Sequence, residues 1–326
     1  MTEATTIELD AQYRQLREEC GLLDRSGRGK LVVRGAEAAE YLQGQLTNDV
    51  EGLAPGEGLY AALLDRKGHM QADMRVLRLA AEEIWIDTEA EATEVARRHL
   101  ETYKIGREVE IVDLTGERAL LSLIGPRSAA VAGTAALPEH AVQEARIDGV
   151  DCVVVGTRGG LDLIAATPGS RSGDPAGEAS RLREALTAAG AVEVGDEAAE
   201  ILRIEAGTPR FGAEMSRETM PAEAGIVEAA VDFGKGCYIG QEPVARLHYK
   251  GRPNRRLRGL ELSAPVEAGT SLKLGEKEVG RVGSACVSPA HGPIGLAIVR
   301  REAEPGAELL AGEDGVTARV VDLPFG

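Results

Sequence analysis

The chain has 326 residues and a formal net charge of −16, with 43% hydrophobic and 28% charged residues. That length suggests two or three domains at roughly 100–200 residues each, and the acid excess disfavours generic binding to nucleic acid or an anionic membrane. No run approaches the roughly 18 apolar residues of a membrane span, the opening MTEATTIELD lacks a signal-peptide core, and the four cysteines show no metal-ligand spacing, so a reducing, cytoplasmic setting without a metal site is expected.

In chain order, residues 10–22 read as a short helix ending at Gly21, Lys30–Arg34 as a strand closed by Gly35, and the Ala-rich Ala36–Leu46 as a helix. Leu59–Leu64, Ala72–Leu79 and Ile84–Asp87 read as strands, and Glu89–Thr102 as a helix. Strands are expected near 109–114 and 118–124, a helix opening at Pro126, and strands at Cys152–Val155 and Leu161–Ile164. The Gly/Pro/Ser-rich stretch 168–180 reads as a loop, Ala185–Ala189 ends a helix at Gly190, and Asp196 caps a helix running to Ala206. The order lacks a strict βαβ rhythm, which favours an α+β fold. From Arg255 onward, short apolar runs (Leu257–Leu262, Val279–Val287, Ile294–Val299, Ala318–Val321) separated by Gly, Pro and Ser point to a small β-barrel. The expected organisation is one region over 1–251 and a barrel domain over 252–326. The local basic stretch is Lys250–Arg258, KGRPNRRLR.

Three segments carry candidate chemistry. In Lys235-Gly236-Cys237-Tyr238-Ile239-Gly240-Gln241-Glu242, one cysteine sits among glycines, two residues after a lysine that favours a thiolate. Taken alone, the cysteine reads more readily as a small buried residue in a turn. Glu205 ends the helix segment Leu202-Arg203-Ile204-Glu205, where its charge opposes the helix dipole. It is either kept for a ligand or simply solvated. Asp73 falls in a strand, where Asp is depleted, after the turn Asp65-Arg66-Lys67-Gly68. It is either functional or an outward-facing side chain.

Together, Gly21–Val33, Tyr41-Leu42-Gln43-Gly44-Gln45-Leu46-Thr47-Asn48-Asp49-Val50, Leu202–Gly212, Met220–Gly225 and the tail from Gly295 to Gly306 resemble the glycine-cleavage T-protein (aminomethyltransferase) superfamily. The octapeptide around Cys237 resembles the K-G-C-[FY]-x-G-Q-E pattern of its YgfZ-type folate-binding branch, whose members support iron–sulfur enzymes. The resemblance implies a three-lobed ring around a central channel, with a C-terminal barrel. It implies a cofactor, tetrahydrofolate or a related reduced folate, with its pterin edge on Glu205 and with Asp73, Lys235 and Arg203 as further cofactor-binding candidates. Cys237 becomes the functional thiol, serving iron–sulfur client or assembly proteins as transient partners. Cys152 and Cys286, in apolar strand-like runs, should be buried and inert, and Cys20 disfavoured as a thiolate at a helix end. T-proteins usually carry two adjacent aspartates where this chain has Ala72-Asp73, which turns the reading away from aminomethyl transfer. The expected function is an accessory protein rather than a conventional enzyme. The alternatives are a folate-dependent aminomethyltransferase or demethylase, and a non-catalytic recruiting module.

Overall fold

The computed structural model describes residues 3–165 and 175–326. Helix α1 (Glu3–Glu18) and strand β1 (Gly21–Asp24) are followed by β2 (Gly29–Arg34), α2 (Ala38–Gln43), β3 (Glu57–Leu64), β4 (Met70–Ala80), β5 (Glu83–Thr88), α3 (Ala90–Tyr103) and β6 (Glu110–Asp113). Next come β7 (Leu120–Ile124), α4 (Ser128–Ala132), β8 (Val142–Ile147), β9 (Val150–Thr157), β10 (Gly160–Ala165), α5 (Pro175–Ala188) and β11 (Val192–Glu193). Helices α6 (Asp196–Glu205), α7 (Pro221–Ala224), α8 (Val227–Ala230) and α9 (Gln241–Lys250) lead to β12 (Arg255–Leu262), β13 (Ser271–Leu274), β14 (Lys277–Ser288), β15 (Gly292–Arg300), β16 (Glu308–Ala311) and β17 (Val316–Val321).

The fold is α+β and is built on three sheets. One is five-stranded in the order β3-β4-β5-β2-β6, the second is β11-β1-β7-β10-β9-β8, and β12-β15-β14-β13-β16-β17 close into a barrel. Every pairing is antiparallel except β1 with β11, so helices need not cross over between neighbouring strands. Residues 168–174 of the expected loop lie outside the described residues, and from Pro175 the chain is helical. Gly195, not Asp196, occupies the N-cap of α6, and Asp196 is its first helical residue. No helix among the described residues is long and apolar enough to cross a membrane.

Strand periodicity positions the site. Along β4, Ala72, Met74 and Val76 are buried in the core shared with α2 and α3, while Asp73, Arg75 and Leu77 point the other way. That opposite face packs on the second sheet. Val32, Leu77 and Trp85 meet Leu120, Val153, Val155 and Ile164 there in an apolar layer. Two residues along each strand, on the same face, the layer turns ionic, through Lys30, Arg75, Asp87, Ser122 and Asp162.

Candidate functional site

At its ionic end the layer holds a chain of paired charges. Arg28 Nε donates to Asp87 Oδ1 at 2.8 Å and its Nη1 meets Glu89. Arg75 Nε donates to the other Asp87 oxygen at 2.6 Å, and Arg75 Nη1 reaches Asp162 across the sheets at 2.7 Å. Burial pushes the Asp87 carboxyl up, but the Arg28 and Arg75 guanidiniums more than reverse this and hold it down to about 2. Lys30 is buried and donates to the carbonyls of Ser26 and Arg28 at 2.8 and 2.7 Å. Asp73 terminates this face. Tyr60 Oη donates to its Oδ2 at 2.7 Å, while Oδ1 is buried without a partner among the described residues. Burial raises the Asp73 carboxyl to about 6 despite the Tyr60 hydrogen bond and the nearby Arg28 charge. A buried acceptor with an open lone pair is a place where a ligand N–H or O–H is favoured.

The cysteine loop is tied to the same wall. Lys235 Nζ donates to the carbonyls of Gln43, Leu46 and Asn48 at 2.7, 2.6 and 2.8 Å. An ammonium has three N–H donors, so none is left to donate to the neighbouring thiol. Burial lowers the Lys235 ammonium to about 8; the three carbonyls, which favour the charged form, oppose that fall. Asn48 Nδ2 in turn donates to the Tyr60 carbonyl at 2.9 Å, linking the loop to the residue that holds Asp73. Gly240 closes the loop at φ +85°, and a Cβ there would sit 2.4 Å from the Asp65 carbonyl, so only glycine fits. Cys237 is exposed, Cys20 and Cys152 are buried, and Cys286 is half-buried rather than enclosed. Burial pushes Cys20 up, Cys152 up to about 11 and Cys286 up to about 12, the last with help from Glu205.

Glu205 and Arg203 are neighbours on α6 but serve as internal struts. Glu205 is buried and accepts from Ser288 Oγ at 2.5 Å, Tyr13 Oη at 3.2 Å and Arg17 Nη1 at 3.4 Å. A pterin edge would compete with all three. Arg203 donates to both Glu200 oxygens, Glu214, Ser284 Oγ and the Thr208 carbonyl, which uses all five guanidinium donors. Of the four cofactor-binding candidates, Asp73 alone has a buried polar atom with no hydrogen-bond partner among the described residues. Asp73 lines neither of two open surface clefts, one bordered by Tyr13, Arg14 and Arg17 and the other by Arg66, Lys67, Gln71, His99 and Ile239.

The GCVT N-terminal domain matches residues 3–158, and the glycine cleavage T-protein C-terminal barrel domain matches residues 255–325. An aminomethyltransferase of Rubrobacter xylanophilus is 34% identical over 97% of this chain and 86% of its own length. The chain belongs to the glycine-cleavage T-protein superfamily. A putative chloroplastic transferase of Arabidopsis thaliana is 28% identical over 93% of this chain and 71% of its own. The crystal structure of the glycine cleavage system aminomethyltransferase from Bartonella henselae superposes with a TM-score of 0.86 at 26% identity, covering 98% of this chain and 89% of that one. The T-protein fold gives the Ala72-Asp73 pair a physical meaning. Adjacent strand residues face opposite ways, and Ala72 is fully buried in the apolar core. Only residue 73 can present a carboxylate to the polar face, so alanine at 72 removes nothing from it. Tyr60, Arg28 and Asp87 complete that face and were not singled out in the sequence, since on separate strands they read as ordinary turn and strand residues.

Proposed function

We propose that this T-protein relative binds a reduced folate against Asp73 and Tyr60 and supports iron–sulfur enzymes through Cys237. The observation that carries the reading is the exposed thiol on a glycine loop whose Lys235 is bonded to the segment that also holds Tyr60. The residues fit a folate through the unpaired Asp73 Oδ1, which accepts from a donor-bearing heterocycle edge. When bound, the folate supplies a carrier for one-carbon units. The chain's own residues then have separate tasks. Tyr60 orients the Asp73 carboxyl, and with that group near 6 Asp73 Oδ1 accepts or releases a proton around neutral pH. Lys235 fixes the loop, and Cys237 presents a thiol to solvent. Stable clusters take about four thiolates, so a single loop cysteine suits transient contact with a cluster as substrate, not storage of one.

The test is rescue of iron–sulfur enzyme activity in a strain lacking the protein, by wild type and by Cys237→Ala. Wild type should restore activity and the variant should not, while both bind tetrahydrofolate equally in calorimetry. Full rescue by Cys237→Ala would remove the thiol from the function and leave a recruiting module.

A second reading, aminomethyl transfer, is favoured by the placement of Asp73 on the polar face, with Ala72 pointing into the core. Turnover of a lipoyl-linked aminomethyl donor at ordinary enzyme rates, about 1–1000 per second, would put this reading first.

A further inference from the structure

Helix α9 directly follows the cysteine loop and turns one stripe to solvent. Glu242, Arg246, Tyr249 and Lys250 fall at i, i+4, i+7 and i+8 and are all exposed, while Val244 is buried. Tyr249 is 67% exposed and is held in a group of three rings. Phe233, from the loop that bears Cys237, stacks on His248 with centroids 4.0 Å apart, and Tyr249 meets the two edge-on at 5.6 and 4.9 Å. Phe233 packs down onto the core, whereas His248 and Tyr249 stand outside it.

The charges of α9 and of the segment that follows it are unbalanced. Arg255 is paired with Glu223 and Arg258 with Asp322. Arg246, Lys250, Arg252 and Arg256 form no ion pair or side-chain hydrogen bond among the described residues. A chain with a net charge of −16 has carboxylates to spare, yet leaves four cations free within eleven residues. Glu242, the one acid of the stripe, sits in the first turn of α9, where the helix dipole favours it. Exposed Tyr and Arg side chains, each carrying a large contact area at a small ordering cost, are the types that dominate binding energy at interfaces.

We propose that the α9 stripe and the Phe233–His248–Tyr249 stack form a docking face for an acidic polypeptide segment of a partner protein, held next to Cys237. The acidic character follows from charge complementarity with the four free cations. A polypeptide is favoured over a nucleic acid by size. A ten-residue helix is about 15 Å long, enough for a few acidic side chains, whereas a longer run of phosphates would extend beyond the free cations over a chain whose net charge is −16. That the docked segment is also presented to a functional thiol rests on the reading of Cys237 above.

The test is fluorescence anisotropy at 0.1 M salt with a labelled twelve-residue Glu/Ala peptide, its Lys/Ala counterpart and single-stranded oligo-dT of equal charge. The acidic peptide should bind and the basic one should not. Arg246→Glu combined with Lys250→Glu should weaken binding at least about tenfold, and Tyr249→Ala by roughly three- to tenfold, with the thermal midpoint unchanged. Cys237→Ala should bind like wild type. Equal binding of acidic and basic peptides, or unimpaired binding by the charge-reversed variant, overturns the proposal. Oligo-dT binding as tightly as the peptide overturns the polypeptide assignment. A wild-type dimer that the charge reversal converts to monomer, with peptide binding unaffected, makes a second copy the occupant and also overturns it. Peptide binding together with full rescue by Cys237→Ala would sink the thiol reading but support the docking face. No peptide binding together with failed rescue would do the reverse.

Discussion

Asp73 is where sequence and geometry inform each other most closely. Its carboxyl is raised to about 6 because burial outweighs the Tyr60 hydrogen bond and the Arg28 charge. The folded chain therefore binds this proton more tightly than the unfolded chain, whose aspartates titrate near 3.9. The stabilisation is present below about pH 4 and is lost as the pH rises through 6. Asp73→Asn removes the cost of keeping that carboxylate ionised. It should be more stable than wild type at pH 7.5 by about 1–3 kcal/mol, and no different below pH 4, in urea unfolding. The same substitution should weaken tetrahydrofolate binding by roughly ten- to a hundredfold at pH 7.5, since a charge-assisted acceptor is lost. A variant less stable at pH 7.5, or one that binds folate as wild type does, contradicts this account. Residue identities at the site were legible where a motif held them together, as around Cys237. The destinations of hydrogen bonds were not. Nothing in the order of residues says that Lys235 spends its three donors on Gln43, Leu46 and Asn48, or that Arg203 spends all five on its surroundings.

Glu205 joins three elements: Tyr13 and Arg17 come from α1, Ser288 from the end of β14, and the carboxylate from the last residue of α6. Glu205→Ala leaves a buried phenol and a buried hydroxyl without their acceptor, which should cost about 1.5–3 kcal/mol of stability. Folate affinity should stay within about threefold of wild type. A collapse of affinity with stability intact would return Glu205 to the ligand. Lys235→Met acts on the loop and should cost about 2–4 kcal/mol, because the three carbonyls lose charge-assisted donors. It should also speed thiol labelling of Cys237, and unchanged labelling and stability would show that the anchor is not needed. The strands found from sequence include continuous apolar runs, such as Cys152–Val155 and Ile294–Val299, whose two faces are both covered, and the alternating Ala72–Leu79. Strand β8, VQEARI, was passed over because its only apolar residues are Val142, Ala145 and Ile147, with one of its six residues buried. Helix α9 was hidden by the glycine loop before it, and α7 and α8, one turn each, are too short to show a period.

At the scale of the whole molecule, the first two sheets are joined by an apolar layer that ends in ionised groups, and Arg75 is the link, bonded to Asp87 within its own sheet and to Asp162 on the other. Ser122 Oγ donates to the second Asp162 oxygen at 2.5 Å, so the far end of the bridge is fixed as well. Such an arrangement gains little over a well-packed apolar contact, but breaking it leaves charges buried and unpaired. Asp87→Asn takes one charged partner from each of two buried guanidiniums but leaves Arg28 on Glu89 and Arg75 on Asp162, so it should destabilise the chain by about 1–3 kcal/mol at pH 7. The pH dependence separates lost charge from lost packing. Asp87 is held down to about 2, below the unfolded value near 3.9, so its contribution is complete above about pH 4 and is lost as the pH falls through 2. The stability gap between wild type and Asp87→Asn should be constant from pH 7 to about 4.5 and should narrow steadily from pH 4 towards 2, because the unfolded chain takes up its proton at Asp87 over this range while the folded carboxyl does so only near 2. Urea unfolding followed across that range measures the gap directly. A gap that stays the same down to pH 2 would mean that shape, not charge, joins the two sheets at this point.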